Sequence, residues 1–294
     1  MDQQLAVFIA VAEHQSFSQA AKQLHLTQSA VSQHIKSFEK EIGATLLERT
    51  NKYVRLNQAG KVVYQHCIEI KNLYGRMQRI VDDLTNHAAG PLKIGASYTF
   101  GEYALPLLIA KLHQLFPEVE PVVTIGNTAH IVEFVKNNQL DIGIVEGHVK
   151  ESRSLTIEAF AEDEMVVVGA ADRQTDSADP AELAEQLWVC REHGSGTREA
   201  AEVVFRQLGM TPARMLTFSS TQAIKQAVES GLGLTLLSKL AIQKEIEYGT
   251  LKVIKVDGLP YKRTFSTVRV SAFQTKALQE FLRLLMRKFS KFCF

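Results

Sequence analysis

From residue 57 to residue 87 no proline interrupts the chain, and Val63, Cys67, Ile70, Tyr74, Met77, Val81 and Leu84 follow one another in alternating steps of four and three. That spacing predicts one long helix with a heptad seam, longer than the helices of a compact domain usually run. Leu73 and Ile80 widen the stripe, and packing within the chain is the alternative to a dimeric coiled coil. Gly75 weakens such a helix by about 1 kcal/mol relative to alanine and marks a place for a bend. A rod of this length divides the 294 residues into 1–58, the rod at 59–89, and 90–294, with Ala88-Ala89-Gly90-Pro91 as the break.

Before the rod, Leu5, Phe8, Ile9 and Ala12 predict a first helix ending near residues 13 to 15. Ser16 and Gln19 have the form of a capping box, which starts a second short helix through Ala20, Ala21 and Leu24. Thr27 is a good N-cap for a third helix, whose apolar stripe is Val31, Ile35, Phe38 and Ile42. The opposite face carries Gln28, Ser29, Ser32, Gln33 and Lys36. Short neutral donors and acceptors match base edges in a DNA major groove better than charge does, and the small Ala20–Ala21 pair allows two helices to cross closely. The same face also suits a helical bundle with no partner. Arg49, Lys52 and Arg55 on the next, β-prone hairpin shift the balance, because cations beside such a helix can hold phosphates; Asn57 then caps the rod.

The stretch SFSQAAKQLHLTQSAVSQHIKSFEKEIGATLLERTNKYVRLNQAG closely resembles the winged helix-turn-helix of LysR-type transcriptional regulators. The alanine pair, the TQSAVS helix start, the glycine turn and the LNQAG entry to the rod, matching the family's LTxAG, carry the resemblance in one order and spacing. Leu47 stands where phenylalanine is usual and Asn57 where threonine is, departures that preserve packing and capping, while Gln33 stands where arginine often is and bears on which bases are read. The resemblance implies Thr27, Gln28, Ser29, Ser32, Gln33, Lys36, Arg49, Lys52 and Arg55 as the DNA-contacting set. It also implies a double-stranded operator with inverted half-sites, self-association into dimers and then tetramers, and RNA polymerase as a further partner.

After Pro91, short apolar strands alternate with helices: LKIGAS, ALPLLIAKLHQLF, VEPVVTI, HIVEFVKNN and LDIGIVEG, then MVVVGAA, LWVCRE, TREAAEVVFRQLG, MLTFSS, TQAIKQAVESG and LGLTLLS, with a return through TFSTVRVSAF to a last helix near 276–288. The alternation predicts a parallel α/β sheet. Two lobes joined by two crossings, about 91–161 with 265–294 and about 162–264, would resemble a periplasmic-binding-protein fold, the architecture of the LysR-type effector domain. The fold expectation is therefore α/β: a winged helix-turn-helix, a linker helix, then this two-lobed effector domain.

Ligands of such sheets sit at strand carboxyl ends, where helix N-termini face. Ser97, Tyr98 and Thr99 follow one strand, Thr128 another, and Gly194, Ser195, Gly196, Thr197 and Arg198 lead into a helix. Glycines, hydroxyls and an arginine before a helix make an anion cradle, although glycine turns with Ser195 and Thr197 as caps explain the same residues. Glu146 is expected in the same cleft, paired with Arg198 or taking a proton or cation from the ligand. REHGSGTRE and LDIGIVEG look most like LysR-type regulators of sulfur assimilation and less like those of carbon fixation. That resemblance puts sulfite or sulfate first as the anionic effector and a larger phosphorylated or carboxylated metabolite second.

Little else carries chemistry. A net charge of +1 announces no bulk attraction to nucleic acid. No apolar run reaches the roughly 18 to 20 residues of a membrane span, and Asp2 stands where a signal peptide is basic, so a cytoplasmic protein without membrane contact is expected. Cys67, Cys190 and Cys293 are too scattered for a disulfide framework or a zinc site, and the nine histidines show no paired-ligand spacing, so no metal or cofactor is expected. His193 and Ser195 lack a nucleophile elbow and an acid, which argues against a hydrolase. The competing reading is an α/β binder or enzyme whose helical N-terminus serves only assembly.

Overall fold

The computed structural model describes residues 3–50, 53–83, 88–149, 154–270 and 274–289. Lys52, Leu84 and Cys293 lie outside them. The chain forms two compact units that meet in sequence at Val81 and Asp82.

The first unit begins with α1 (Gln3–His14), α2 (Phe17–Gln23) and α3 (Gln28–Ile42). Ser16 Oγ accepts from Gln19 N and Thr27 Oγ1 from Ala30 N, so both caps form where the sequence puts them. Gly43, left-handed at φ 78°, ends α3. Val31, Ile35 and Phe38 are buried with Phe8, whose ring centroid lies 5.3 Å from that of Phe38. Ile42 is not: it is exposed in the last turn, one step beyond the reach of α1. The hairpin β1 (Leu47–Arg49) and β2 (Val54–Leu56) makes a wing. Glu39 ties it to α3: Oε1 accepts from Leu46 N and Leu47 N at 2.8 and 3.2 Å, and Oε2 pairs with Arg49 at 2.8 Å. Glu39→Ala leaves two backbone donors beside buried leucines without this acceptor, so urea unfolding of the first unit should show a loss of about 1–3 kcal/mol.

Asn57 Oδ1 accepts from Gly60 N and opens α4 (Gln58–Asp83). The start of the seam is absorbed locally: Cys67 is buried in the core of α1 to α3, with Val63 packed on it. That part of the expected coiled-coil stripe is therefore intrachain packing. Ile70, Leu73, Tyr74, Met77 and Val81 are exposed within their unit. Gly75 sits inside an uninterrupted helix.

In the second unit β3 (Gly90–Ser97) takes in the Gly90–Pro91 pair expected to close the rod; Gly90 N donates to Glu118 O. After it come α5 (Tyr98–Tyr103), α6 (Leu105–Leu115), β4 (Val119–Gly126), α7 (Thr128–Lys136) and β5 (Ile142–Glu146). Strand β6 (Thr156–Ala170) then runs on past the first lobe. The second lobe holds α8 (Pro180–Glu185), β7 (Leu187–Arg191), α9 (Gly196–Gln207), β8 (Arg214–Phe218), α10 (Thr221–Glu229), β9 (Thr235–Ser238), α11 (Lys239–Tyr248) and β10 (Leu251–Ile254). The return strand β11 (Tyr261–Arg269) and α12 (Lys276–Phe289) finish the fold.

The main sheet is mixed, not wholly parallel as its alternation suggested. Strands β4, β3 and β5 are parallel, but β11 pairs antiparallel with both β5 and β6, and β9 and β10 pair antiparallel with β6. The physical reason is connectivity: β6 and β11 are the two crossings, and a chain that leaves and returns runs in opposite directions. Their register shifts at Phe265/Ser266. On one side Phe100, Phe160 and Phe265 pack in the first core; on the other Trp188 stacks edge-on to Phe205 in the second.

Candidate functional site

In the first unit Gln28, Ser29, Gln33 and Lys36 are exposed along α3 and Ser32 is half-buried beside them. The face is lightly pre-ordered: Thr27 Oγ1 and Ser29 Oγ are 3.0 Å apart, and Ser18 Oγ donates to Gln28 Oε1 at 3.2 Å. Arg49 is held between Glu39 and the Phe17 ring, 4.9 Å from its centroid, and Arg55 lies over Tyr53 at 4.6 Å. Arg49 is thus positioned by α2 and α3, and Arg55 by the tip of the wing. If α3 reads bases, Gln33→Ala or Ser32→Ala should cost about 1–3 kcal/mol at a preferred duplex while leaving random-sequence binding unchanged, measurable by fluorescence anisotropy with both DNAs.

In the second unit the cleft lies where β3, β4, β5 and β7 end. The expected ligand residues fall into two groups. Thr128, Gly194, Ser195, Gly196 and Arg198 line a cavity of about 450 Å³, with Lys136, His148 and His193. Ser97, Thr99, Glu146 and Thr197 are buried behind it, around Arg263. Tyr98 joins neither group; the Arg191 guanidinium lies 4.4 Å from its ring centroid.

Local sequence explains the loop. Ser195 caps α9 by accepting from Thr197 N at 3.2 Å. Gly194 takes φ 85°, where a side chain would be strained, and a Cβ on Gly196 would lie 2.3 Å from Glu146 O. Glycine thus lets α9 press on the end of β5. The lobes close directly on each other: Ala129 N donates to Gly194 O at 3.1 Å, Asn127 Nδ2 to Glu192 Oε1 at 3.2 Å, and His148 N to Glu199 Oε2 at 3.1 Å.

The expected Glu146–Arg198 pair does not form. Arg198 pairs with Glu202 one turn along α9, at 2.6 Å. Glu146 instead accepts from Ser97 Oγ and Thr99 Oγ1 and faces Arg263, while Thr128 Oγ1 donates to its backbone carbonyl. Burial pushes the Glu146 carboxyl above its usual range; Arg263 opposes this and Asp163 adds to it. Burial acts on Glu192 in the same sense, but hydrogen bonds from Arg191 and Asn127 outweigh it and hold that carboxyl low.

Arg263 and Asp163 had no place among the expected site residues, and Arg191 entered only as the first residue of the loop that leads into α9. Arg263 Nε donates to Asp163 Oδ2 at 2.7 Å, and Asp163 also accepts from Ser238 Oγ at 2.6 Å. The acidic run Glu162-Asp163-Glu164 on β6 and the Lys262-Arg263 pair on β11 were the available signal for the crossings. Cys190, beside the loop, is buried and its thiol is pushed up to about 11, as is that of Cys67, which makes both poor thiolates at neutral pH. Among the described residues no cluster of His, Cys, Asp and Glu could hold a metal, and no helix is long and apolar enough to cross a membrane.

A winged helix-turn-helix joined to a two-lobed α/β domain with a polar interlobe cleft defines a ligand-responsive DNA-binding regulator. Residues 3–61 match the bacterial regulatory helix-turn-helix protein, lysR family, and residues 85–290 match the LysR substrate binding domain. The chain belongs to the LysR family of transcriptional regulators. It is 38% identical over 287 residues to the HTH-type transcriptional regulator CysL of Bacillus subtilis (strain 168), covering 96% of this chain and 95% of that one. The RuBisCO operon transcriptional regulator of Allochromatium vinosum is 34% identical over 268 residues, covering 90% and 88%. Among solved structures, the Synechocystis PCC6803 CcmR regulatory domain in complex with 2-PG superposes with a TM-score of 0.62 at 28% identity, covering 68% of this chain and 97% of that one.

Proposed function

We propose that the chain is a cytoplasmic regulator that binds an inverted-repeat operator as a dimer joined along α4, with dimers pairing into tetramers and RNA polymerase as a further partner. In this reading α3 supplies the base contacts through Gln28, Ser29, Ser32 and Gln33, and the wing supplies phosphate contacts through Arg49 and Arg55. The effector is a small anion taken into the interlobe cleft. One observation carries that part: the N-termini of α7 and α9 meet at a single cavity whose rim holds Thr128, Ser195 and Lys136, with Arg198 paired to Glu202 and Glu199 beside it.

Sulfite or sulfate comes first, from the resemblance of the loop sequences to sulfur-assimilation regulators. A larger phosphorylated or carboxylated metabolite is the second reading, favoured by the RuBisCO-operon relative and by the 2-PG complex of the Synechocystis neighbour. Thermal unfolding of the full chain with sulfite, sulfate, thiosulfate, phosphate and carboxylate metabolites, at constant ionic strength, separates the two. A ligand at a hundred times its Kd stabilises by about 2.7 kcal/mol, enough for a clear rise in midpoint. A rise confined to a sulfur oxyanion supports the first reading; a rise only with the larger metabolites replaces it with the second.

A further inference from the structure

The groups suited to hold a ligand anion already hold one, and it belongs to the chain. Glu146 ends β5, and its carboxylate accepts from Ser97 Oγ and from Thr99 Oγ1 at 3.2 Å, with Arg263 Nη1 3.8 Å away. All four side chains are buried. Two hydroxyls and a guanidinium form a donor set for a small oxyanion, and here a glutamate satisfies it. Charge points the same way. Arg263 also binds Asp163, so one buried guanidinium faces two buried carboxylates. The next cation felt at Glu146 is Arg191, which is already bidentate on Glu192. An incoming anion would put three negative groups around Arg263, and closely spaced like charges do not all stay ionised. A proton on Glu146 removes the conflict and turns the carboxyl from acceptor only into a donor as well.

We propose that Glu146 is a resident competitor for the effector: its carboxylate occupies Ser97, Thr99 and Arg263, and a small anion takes these groups only when Glu146 carries a proton. Anion binding is then coupled to uptake of one proton, which makes the cleft sensitive to pH as well as to ligand. The inference rests on the reading of the cleft as an anion site. Burial works in its favour, since it already raises the affinity of this carboxyl for a proton. The charged groups facing Glu146 are Asp163 on β6, Arg263 on β11 and Arg191 on β7; Glu199 on α9 accepts from His148 N two residues along the chain, and Lys136, His148, His193, Arg198 and Glu202 line the adjoining cavity.

The test is isothermal titration of the full chain with sodium sulfate at constant ionic strength, because sulfate stays a dianion from about pH 5.5 to 8.5 and any proton taken up belongs to the protein. Wild-type affinity should weaken by up to about tenfold per pH unit above the Glu146 titration, whereas E146Q should lose that slope and bind at least about tenfold tighter near pH 8.5. Repeating the wild-type titration in buffers of different ionisation enthalpy counts the protons directly, without any variant. Uptake approaching one proton at high pH supports the proposal, and none overturns it. If E146Q keeps the wild-type slope, another group carries the pH dependence and the proposal is overturned. Equal, pH-independent binding by both proteins overturns the competitor while leaving the cleft an anion site. No sulfate binding by either protein at any pH overturns the inference together with the sulfur-oxyanion reading, and leaves the larger-metabolite reading to the thermal-unfolding series.

Discussion

Replacing Arg263 by methionine should destabilise the effector domain by about 3–5 kcal/mol, the cost of removing one partner from a buried charge network. The guanidinium touches both lobes and both crossings. Nε binds Asp163, Nη1 donates to Thr197 Oγ1 and Nη2 to Thr99 Oγ1, each of the last two at 3.2 Å, and Glu146 lies 3.8 Å off. Methionine keeps the apolar volume but leaves Asp163 and Glu146 in a dry interior with no cation between them. The Glu146 carboxyl, already raised by burial, loses the guanidinium that opposed the rise and binds a proton more tightly than in the unfolded chain. The deficit should therefore shrink as pH falls and Glu146 protonates, and grow again as pH rises. Denaturant unfolding of wild type and variant at several pH values reads both effects. A loss under about 1 kcal/mol, the range of exposed ion pairs, would show that the network is solvated and that the lobes are held by other contacts.

The second large effect concerns α4. Ile70, Leu73, Met77 and Val81 are each at least half exposed within their own unit, at steps of three, four and four. An isolated surface helix does not keep such a stripe in water, and a second copy of the same helix covers it by symmetry. Leu73→Asp with Met77→Asp places charge in that seam. Sedimentation should show the dimer dissociating, and operator affinity should fall by about 10²–10⁴, because each half-site is then bound without the effective concentration supplied by its neighbour. Cys67 and Val63 pack on α1 to α3 and not on the proposed partner, so Val63→Ala should spare dimerisation. Unchanged oligomeric state in the double aspartate variant would place self-association elsewhere.

Features set within a few residues of one another were legible in the sequence. The caps at Ser16, Thr27, Asn57 and Ser195 depend on neighbours no more than three positions away. The polar face of α3 follows from one helical period, and the strand–helix alternation from Pro91 onward gave the α/β lobes. What the sequence hid depends on long-range pairing. Asp163 meets Arg263 across strands a hundred residues apart, and nothing local to either announces the other. Strand direction was likewise invisible, since the residues of β6 and β11 do not state which way a strand runs until the chain is known to cross and return. The heptad stripe ran past its true start because Cys67 suits a domain core as well as a coiled-coil seam. In the cleft, residue type was readable and partner was not: Ser97, Thr99 and Glu146 were expected to face a ligand, and they face one another.

In vitro selection from random duplexes with the full chain, sequenced and then repeated with the stabilising anion, measures operator recognition and its control by ligand together. An inverted repeat should be enriched, with half-sites about one helical turn or a whole multiple of it apart. The anion should change the affinity or spacing of the enriched sites. No enriched sequence, or an enriched site indifferent to every anion that binds the cleft, would contradict recognition under ligand control.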